Sequence, residues 1–253
     1  MFAATHLRPV ARERTVLAVS LAGIAAAAML ALLVWESSPY GPLLHHESQS
    51  TSVLLGGALF TVGWLLMIVA MMLPSSLPLV ILFSALVRRR QRPYRLVTLL
   101  LLGYLLVWTA FGLAAWAGDR AIHAIVDAVP WLASHPQLIV GATLLIAGLW
   151  QFSPLRDRCL DECRSPLGFV MNRWRGTSER REALSLGIAH GAFCVGCCWS
   201  LMLVMFGVGI GSLVLMLIMG GITAIEKNLP NGRRLTHPVG GALILAAVYV
   251  VAA

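Results

Sequence analysis

Charge is scarce in this chain. Asp, Glu, Lys and Arg make up 12% of its 253 residues, about half the share of an ordinary soluble domain. Acidic residues are scarcer still, 11 against 19 Lys and Arg. So few charges cannot clothe a water-facing surface, which excludes an ordinary soluble globule. A Gly-rich nucleotide loop, a zinc-protease helix and a nucleophile elbow are all missing, so no enzyme is expected. No polar linker separates two apolar blocks, and residues 1–253 read as a single integral membrane domain. The five cysteines are odd in number and fall into two clusters, unlike a secreted disulfide framework. The net charge of +8 would point to nucleic acid in a soluble protein. Here the arginines lie between apolar segments and no basic fold motif accompanies them, so no nucleic acid partner is expected.

What the chain has is apolar length. Hydrophobic residues make up 58% of it, and a bilayer core of about 30 Å takes about 20 of them as helix. The fold class expected is all-α, a polytopic transmembrane bundle of about seven spans. The candidate spans are 15–35, 53–73, 96–118, 137–153, 183–207, 210–227 and 237–253. The second apolar stretch continues past Pro74 and Pro78 to Val87, too far for one straight crossing. A kink or break is expected there, with the freed backbone groups satisfied inside the protein. The glycines of Gly207-Val208-Gly209-Ile210-Gly211 offer a tight turn between the fifth and sixth spans.

Orientation follows from the arginines. Arg8, Arg12 and Arg14 precede the first span, Arg88 to Arg95 follow the second, and Arg156 to Arg181 follow the fourth. Lys227, Arg233 and Arg234 follow the sixth, which leaves Arg120 alone among basic residues on the other side. The positive-inside rule makes the crowded side cytoplasmic. The N-terminus and the loop 154–182 are then cytoplasmic, and the C-terminus is periplasmic. The first span is longer than the apolar core of a signal peptide and reads as an uncleaved signal anchor. The lipid bilayer is a partner by necessity, and anionic headgroups suit the basic face.

The chemistry concentrates in the fifth span. On a helical wheel of about 100° per residue, His190, Cys194, Cys197, Cys198 and Met205 fall in one sector of about 100°. Ala183, Gly187 and Gly191 recur every four residues, a small-residue pattern that lets another helix approach. The His/Cys stripe is therefore expected to face protein. Thiolates and thioethers select Cu(I), and imidazole suits copper or zinc. The competing explanation is that cysteine is a small apolar filler. Four such donors on one face, and a histidine that is costly in a membrane, favour ligation.

Other donors are candidates by the same reasoning. Met67 and Met71 share a face of the second span. Met202, Met216 and Met219 are weaker candidates, since methionine also serves as core filler. Cys159 and Cys163, four apart on the cytoplasmic side, can reach one ion from a helix, or else stand as a reduced, solvent-facing pair. The pair His45-His46 on the outer side could gather metal. Glu226-Lys227 at the end of the sixth span reads as an interfacial ion pair with a snorkelling lysine, or else Glu226 faces the interior as a ligand or proton site.

Several of these motifs occur together in one known family. Trp64-Leu65-Leu66-Met67-Ile68-Val69-Ala70-Met71-Met72-Leu73-Pro74, the run Cys159-x-x-x-Cys163-Arg164-Ser165-Pro166-Leu167-Gly168, His190-Gly191 with Cys194-x-x-Cys197-Cys198-Trp199, and Glu226-Lys227 resemble a bacterial family of predicted metal-binding integral membrane proteins, a domain of unknown function. Leu79 stands where a methionine often follows the proline. The resemblance implies a multi-pass protein of the bacterial inner membrane that binds metal. The expected metal is Cu(I), with zinc also suited to a Cys/His site. The function expected is copper trafficking or delivery, with a metallochaperone or cuproenzyme as partner. A metal or solute transporter, a membrane thiol-disulfide oxidoreductase and an assembly subunit whose cysteines only pack remain alternatives.

Overall fold

The computed structural model describes residues 4–38, 53–208 and 213–252. Among them the regular structure is helical, with no strand. Lipid gives no partner to a stray N–H or C=O, and a helix satisfies both within itself. The chain runs through α1 (Ala4–Glu36), α2 (Val53–Ser75), α3 (Leu77–Val87), α4 (Pro93–Ala128) and the short α5 (Pro130–Ala133). It continues through α6 (Pro136–Trp150), α7 (Pro154–Arg164), α8 (Pro166–Arg173), α9 (Glu179–Val208) and α10 (Leu213–Asn228). A 3₁₀ turn (Gly232–Leu235) leads into α11 (Thr236–Ala252).

Five stretches are long and apolar enough to cross a bilayer: Thr15–Glu36, Leu54–Ser75, Pro93–Ala128, Glu179–Met205 and Gly232–Ala252. The pair α6 and α7, bent by 64°, makes a sixth if counted as one broken span. Two shorter apolar helices remain, α3 of 11 residues and α10 of 16. The protein is an all-α bundle of apolar helices. Residues 209–212 of the Gly-rich turn and the pair His45-His46 lie outside the described residues.

Proline punctuates the chain as its chemistry dictates. Pro93, Pro130, Pro136, Pro154 and Pro166 each open a helix, where the missing N–H is no loss. Pro74 and Pro78 instead fall within the second apolar stretch and divide it into α2 and α3. The loosened carbonyl of Met72 is recovered by side chains: Ser75 Oγ donates to it at 2.8 Å and Ser76 Oγ at 3.2 Å. The expected break is present, and the Met72 carbonyl beside it finds its partners inside the protein.

The centre of the bundle is the contact of α4 with α9. Three glycines set its closeness. A methyl group on Gly187 would overlap the carbonyl of Leu100, and one on Gly103 would overlap that of Leu184. One on Gly191 would stand 3.1 Å from the Tyr104 carbonyl. Helix α2 joins this pair through Trp64, whose Nε1 donates to the Trp108 carbonyl at 2.9 Å. Gly112 leaves room for that indole, since a Cβ there would stand 2.5 Å from the ring. Helices α6 and α11 pack together on the flank of α9.

The segment 154–182, expected as a cytoplasmic loop, is largely helical. Ser153 caps α7 by accepting from Leu155 N at 3.3 Å. Helix α7 folds back onto α9 instead of leaving the bundle. It is held there by arginines. The fully buried Arg156 donates to Glu226 Oε2 at 2.6 Å and to Thr236 Oγ1 at 3.0 Å. Arg164 donates to the carbonyls of Glu226 and Pro230. At the outer rim Arg233 pairs with Asp157 and Asp161.

Candidate metal centre

Helix α9 carries His190, Cys194, Cys197 and Cys198 on successive turns, and all four are buried. The expectation that this stripe faces protein holds. The reason is the packing around it: α4 on one side, α7 on another, α2 and α10 closing the rest.

All five cysteines are free thiols. Cysteine segments far apart in the sequence meet here. Cys163 Sγ of α7 lies 4.0 Å from Cys197 Sγ of α9. The Cys159 sulfur packs on Gly196, where an added methyl would stand 2.5 Å away. The two cysteine clusters, separate in sequence, therefore meet across the α7–α9 contact. Cys159 is buried and Cys163 only partly exposed, which corrects the alternative of a solvent-facing pair. Helix α7 is amphipathic, and folding back turns its cysteine face inward.

Cys194 has two neighbours from other helices. Lys227 Nζ of α10 donates to its sulfur at 2.9 Å, and the Tyr104 hydroxyl of α4 lies 3.2 Å away. Cys197 and Cys198 both donate to the Cys194 carbonyl, at 3.2 and 2.8 Å. Cys198 Sγ also lies 3.8 Å from the thioether sulfur of Met72 in α2.

Two sulfurs bound to one ion at about 2.3 Å stand about 3.8 Å apart in a tetrahedral site, and about 4.6 Å apart on opposite sides of the ion. The Cys163–Cys197 separation falls between these values. The donor chemistry fits a soft ion, since thiolate and thioether predominate. Among the described residues, no three His, Cys, Asp or Glu side chains stand in a metal-holding group. The sulfurs are arranged in close pairs.

The other expected donors sit elsewhere. His190 Nε2 meets Ser76 Oγ at 3.1 Å, at the break between α2 and α3. Its ring stacks on Tyr104, with centroids 5.6 Å apart, and its Nδ1 is buried without a partner. Met67 and Met71 are buried in the core of α2, and Met71 packs against Gly220 of α10. It is their neighbour Met72 that reaches a cysteine. Met202, Met205, Met216 and Met219 are buried in the same apolar cluster.

Glu226 and Lys227 correct another expectation. Lys227 is 6% exposed and does not snorkel. Successive helix residues point about 100° apart, so the two side chains part company. Glu226 turns to Arg156 and Thr236, and Lys227 turns to Cys194. Helix α7 packs against α10, and the lysine stays inside the bundle. Sequence reasoning preferred Met67 and Met71 to Met72, missed Tyr104 and assigned Lys227 to the interface. The available signal was the lysine itself, a charge in an apolar span.

No curated protein and no solved structure matches the chain. A family model described as PpoB2, copper chaperone, does match, over residues 61–250. That range contains α3 to α10 entire, with every cysteine and the lysine beside Cys194. By this match the chain belongs to the PpoB2 copper chaperone family.

Proposed function

We propose that this protein is an integral membrane copper chaperone that holds Cu(I) among the sulfurs at the α7–α9 contact and releases it to a cuproenzyme or a second carrier. The observation that carries the reading is the 4.0 Å approach of Cys163 to Cys197, which joins the two cysteine clusters in one place. Cys163 and Cys197 are the proposed primary pair, with Cys194, Cys198 and Met72 beside them. Cu(I) accepts low coordination and soft donors, whereas structural zinc takes four ligands. His190, Cys159, Met67 and Met71 belong to the surrounding shell in this reading.

The residues divide the work of exchange. Cys163 is partly exposed at the rim, and Cys197 is buried. A cargo ion captured by the outer thiolate can be taken up by the inner one without passing through water. Each new bond displaces an old one, so the ion is never bare in an apolar medium. Binding requires loss of the thiol protons, so occupancy falls as pH falls. By the arginine asymmetry the rim with Cys163 faces the cytoplasm of a bacterial inner membrane. A transporter is the second reading. It draws on the α2–α3 break, which sets Ser76 against His190 inside the bundle. Uptake of copper by sealed vesicles distinguishes the two.

The test is anaerobic titration of the detergent-solubilised protein with Cu(I) against a coloured Cu(I) chelator. The wild type is expected to bind copper stoichiometrically. The double variant Cys163→Ser/Cys197→Ser is expected to lose affinity by roughly 100-fold or more, since serine offers no soft donor. A folded double variant with wild-type affinity contradicts the assignment.

A further inference from the structure

Lys227 is a buried ammonium with a sulfur as its partner. It is 6% exposed, and its Nζ lies 2.9 Å from Cys194 Sγ. It also lies within electrostatic reach of Cys197, Cys198 and Cys163. The carboxylate of the adjacent Glu226 is already engaged by Arg156 and Thr236. A buried charge is costly unless compensated, and the groups placed to compensate it here are the cysteine sulfurs as thiolates.

We infer that Lys227 is the fixed counter-charge that sets this sulfur site for a monovalent ion. The inference rests on the copper reading. Two thiolates and one Cu(I) together carry a single negative charge, and the ammonium brings the sum to zero. The same two thiolates with a divalent ion and the ammonium carry a net positive charge, which an apolar, membrane-embedded site disfavours. Without the ammonium the order reverses: the divalent complex is neutral and the Cu(I) complex is an uncompensated anion. Lys227 therefore acts as a specificity determinant through charge, without itself binding the ion. Its placement follows from the fold. Helix α10 ends beneath α7, the guanidinium of Arg156 draws Glu226 away, and the lysine has Cys194 as the acceptor within reach.

The experiment compares Cu(I) and Zn(II) affinities of the full-length protein in detergent, each against a coloured competitor, for the wild type, Lys227→Met, Lys227→Gln and Lys227→Arg. Both neutral variants are expected to lose Cu(I) affinity by about tenfold or more while Zn(II) affinity holds or rises, because one buried charge has been removed. Lys227→Arg is expected to keep the wild-type ratio within about threefold, since it keeps the charge. Thermal melting in detergent identifies any variant that is unfolded. Methionine removes a buried charge and glutamine keeps a donor, so at least one neutral variant is expected to remain folded. An unchanged Cu(I)-to-Zn(II) ratio in the folded neutral variants overturns the inference. So does an Arg variant that falls as far as they do, which would assign the effect to shape. A wild type that binds no Cu(I) fails the copper reading before any lysine variant is made, so the two failures are distinct.

Discussion

At the residue scale, the closeness of the bundle depends on absent side chains. Gly187 and Gly103 let α4 and α9 approach until carbonyl meets Cα, and that approach brings Tyr104 to Cys194. A small residue every four positions was legible in the sequence as a helix-packing face. Gly187→Ala is expected to destabilise the protein by about 1–3 kcal/mol, because the added methyl meets backbone that cannot rotate away. Gly241→Ala is the matched control. A methyl there meets nothing within 4 Å, and alanine is the better helix former by up to about 1 kcal/mol. Melting of the two variants in detergent should move in opposite directions. The partner of each donor was not legible. Met67 and Met71 share a helix face by arithmetic, yet Met72 reaches Cys198. Which methionine does so depends on the rotation of α2 against the α4–α9 pair, anchored on α4 by Trp64 on the Trp108 carbonyl, and a single helix's periodicity carries no such information.

At the element scale, the decisive unit is α7. Its Cys159 and Cys163 were recognisable as one face of a helix. That this helix folds back at 64° from α6 and lies on α9 was not, because a polar, Arg-rich stretch reads as a loop beside a membrane. The physical reason is the buried Arg156–Glu226 pair, contributed by residues 70 apart. Removing one partner leaves the other charge buried and uncompensated. Glu226→Ala is therefore expected to destabilise the α7 contact by about 3–5 kcal/mol. Labelling of Cys159 by a membrane-impermeant maleimide in inverted vesicles, slow in the wild type, should become at least several-fold faster. The paired change Arg156→Met/Glu226→Met should restore slow labelling, because an apolar pair fills the space without a charge to hydrate. Fast labelling in the wild type would mean that α7 does not rest on α9. The rim pairs of Arg233 with Asp157 and Asp161 are half exposed, and Arg233→Ala should change labelling little.

At the scale of the whole molecule, fold class was legible from composition alone. So little charge and so much apolar length leave few alternatives to a bundle of helices in lipid. Five of the hydropathy segments overlap helices long and apolar enough to cross a bilayer. Orientation rests on the arginines, and reporter fusions test it: sites near residues 92 and 170 should read cytoplasmic, and a fusion after residue 253 periplasmic. A cytoplasmic C-terminus would contradict that arrangement. The candidate site was half legible. The α9 stripe was visible as a face, but its meeting with α7 and α10 is a tertiary fact that no local pattern encodes. The convergence of sulfurs from α2, α7 and α9, with the Lys227 charge beside them, is the claim on which the functional account stands. X-ray absorption at the copper edge of the Cu(I)-loaded, full-length protein tests it most directly. The account predicts a first shell of two or three sulfurs at about 2.2–2.3 Å with no nitrogen. A shell dominated by nitrogen or oxygen, or a spectrum unchanged by Cys163→Ser and Cys197→Ser, would contradict it.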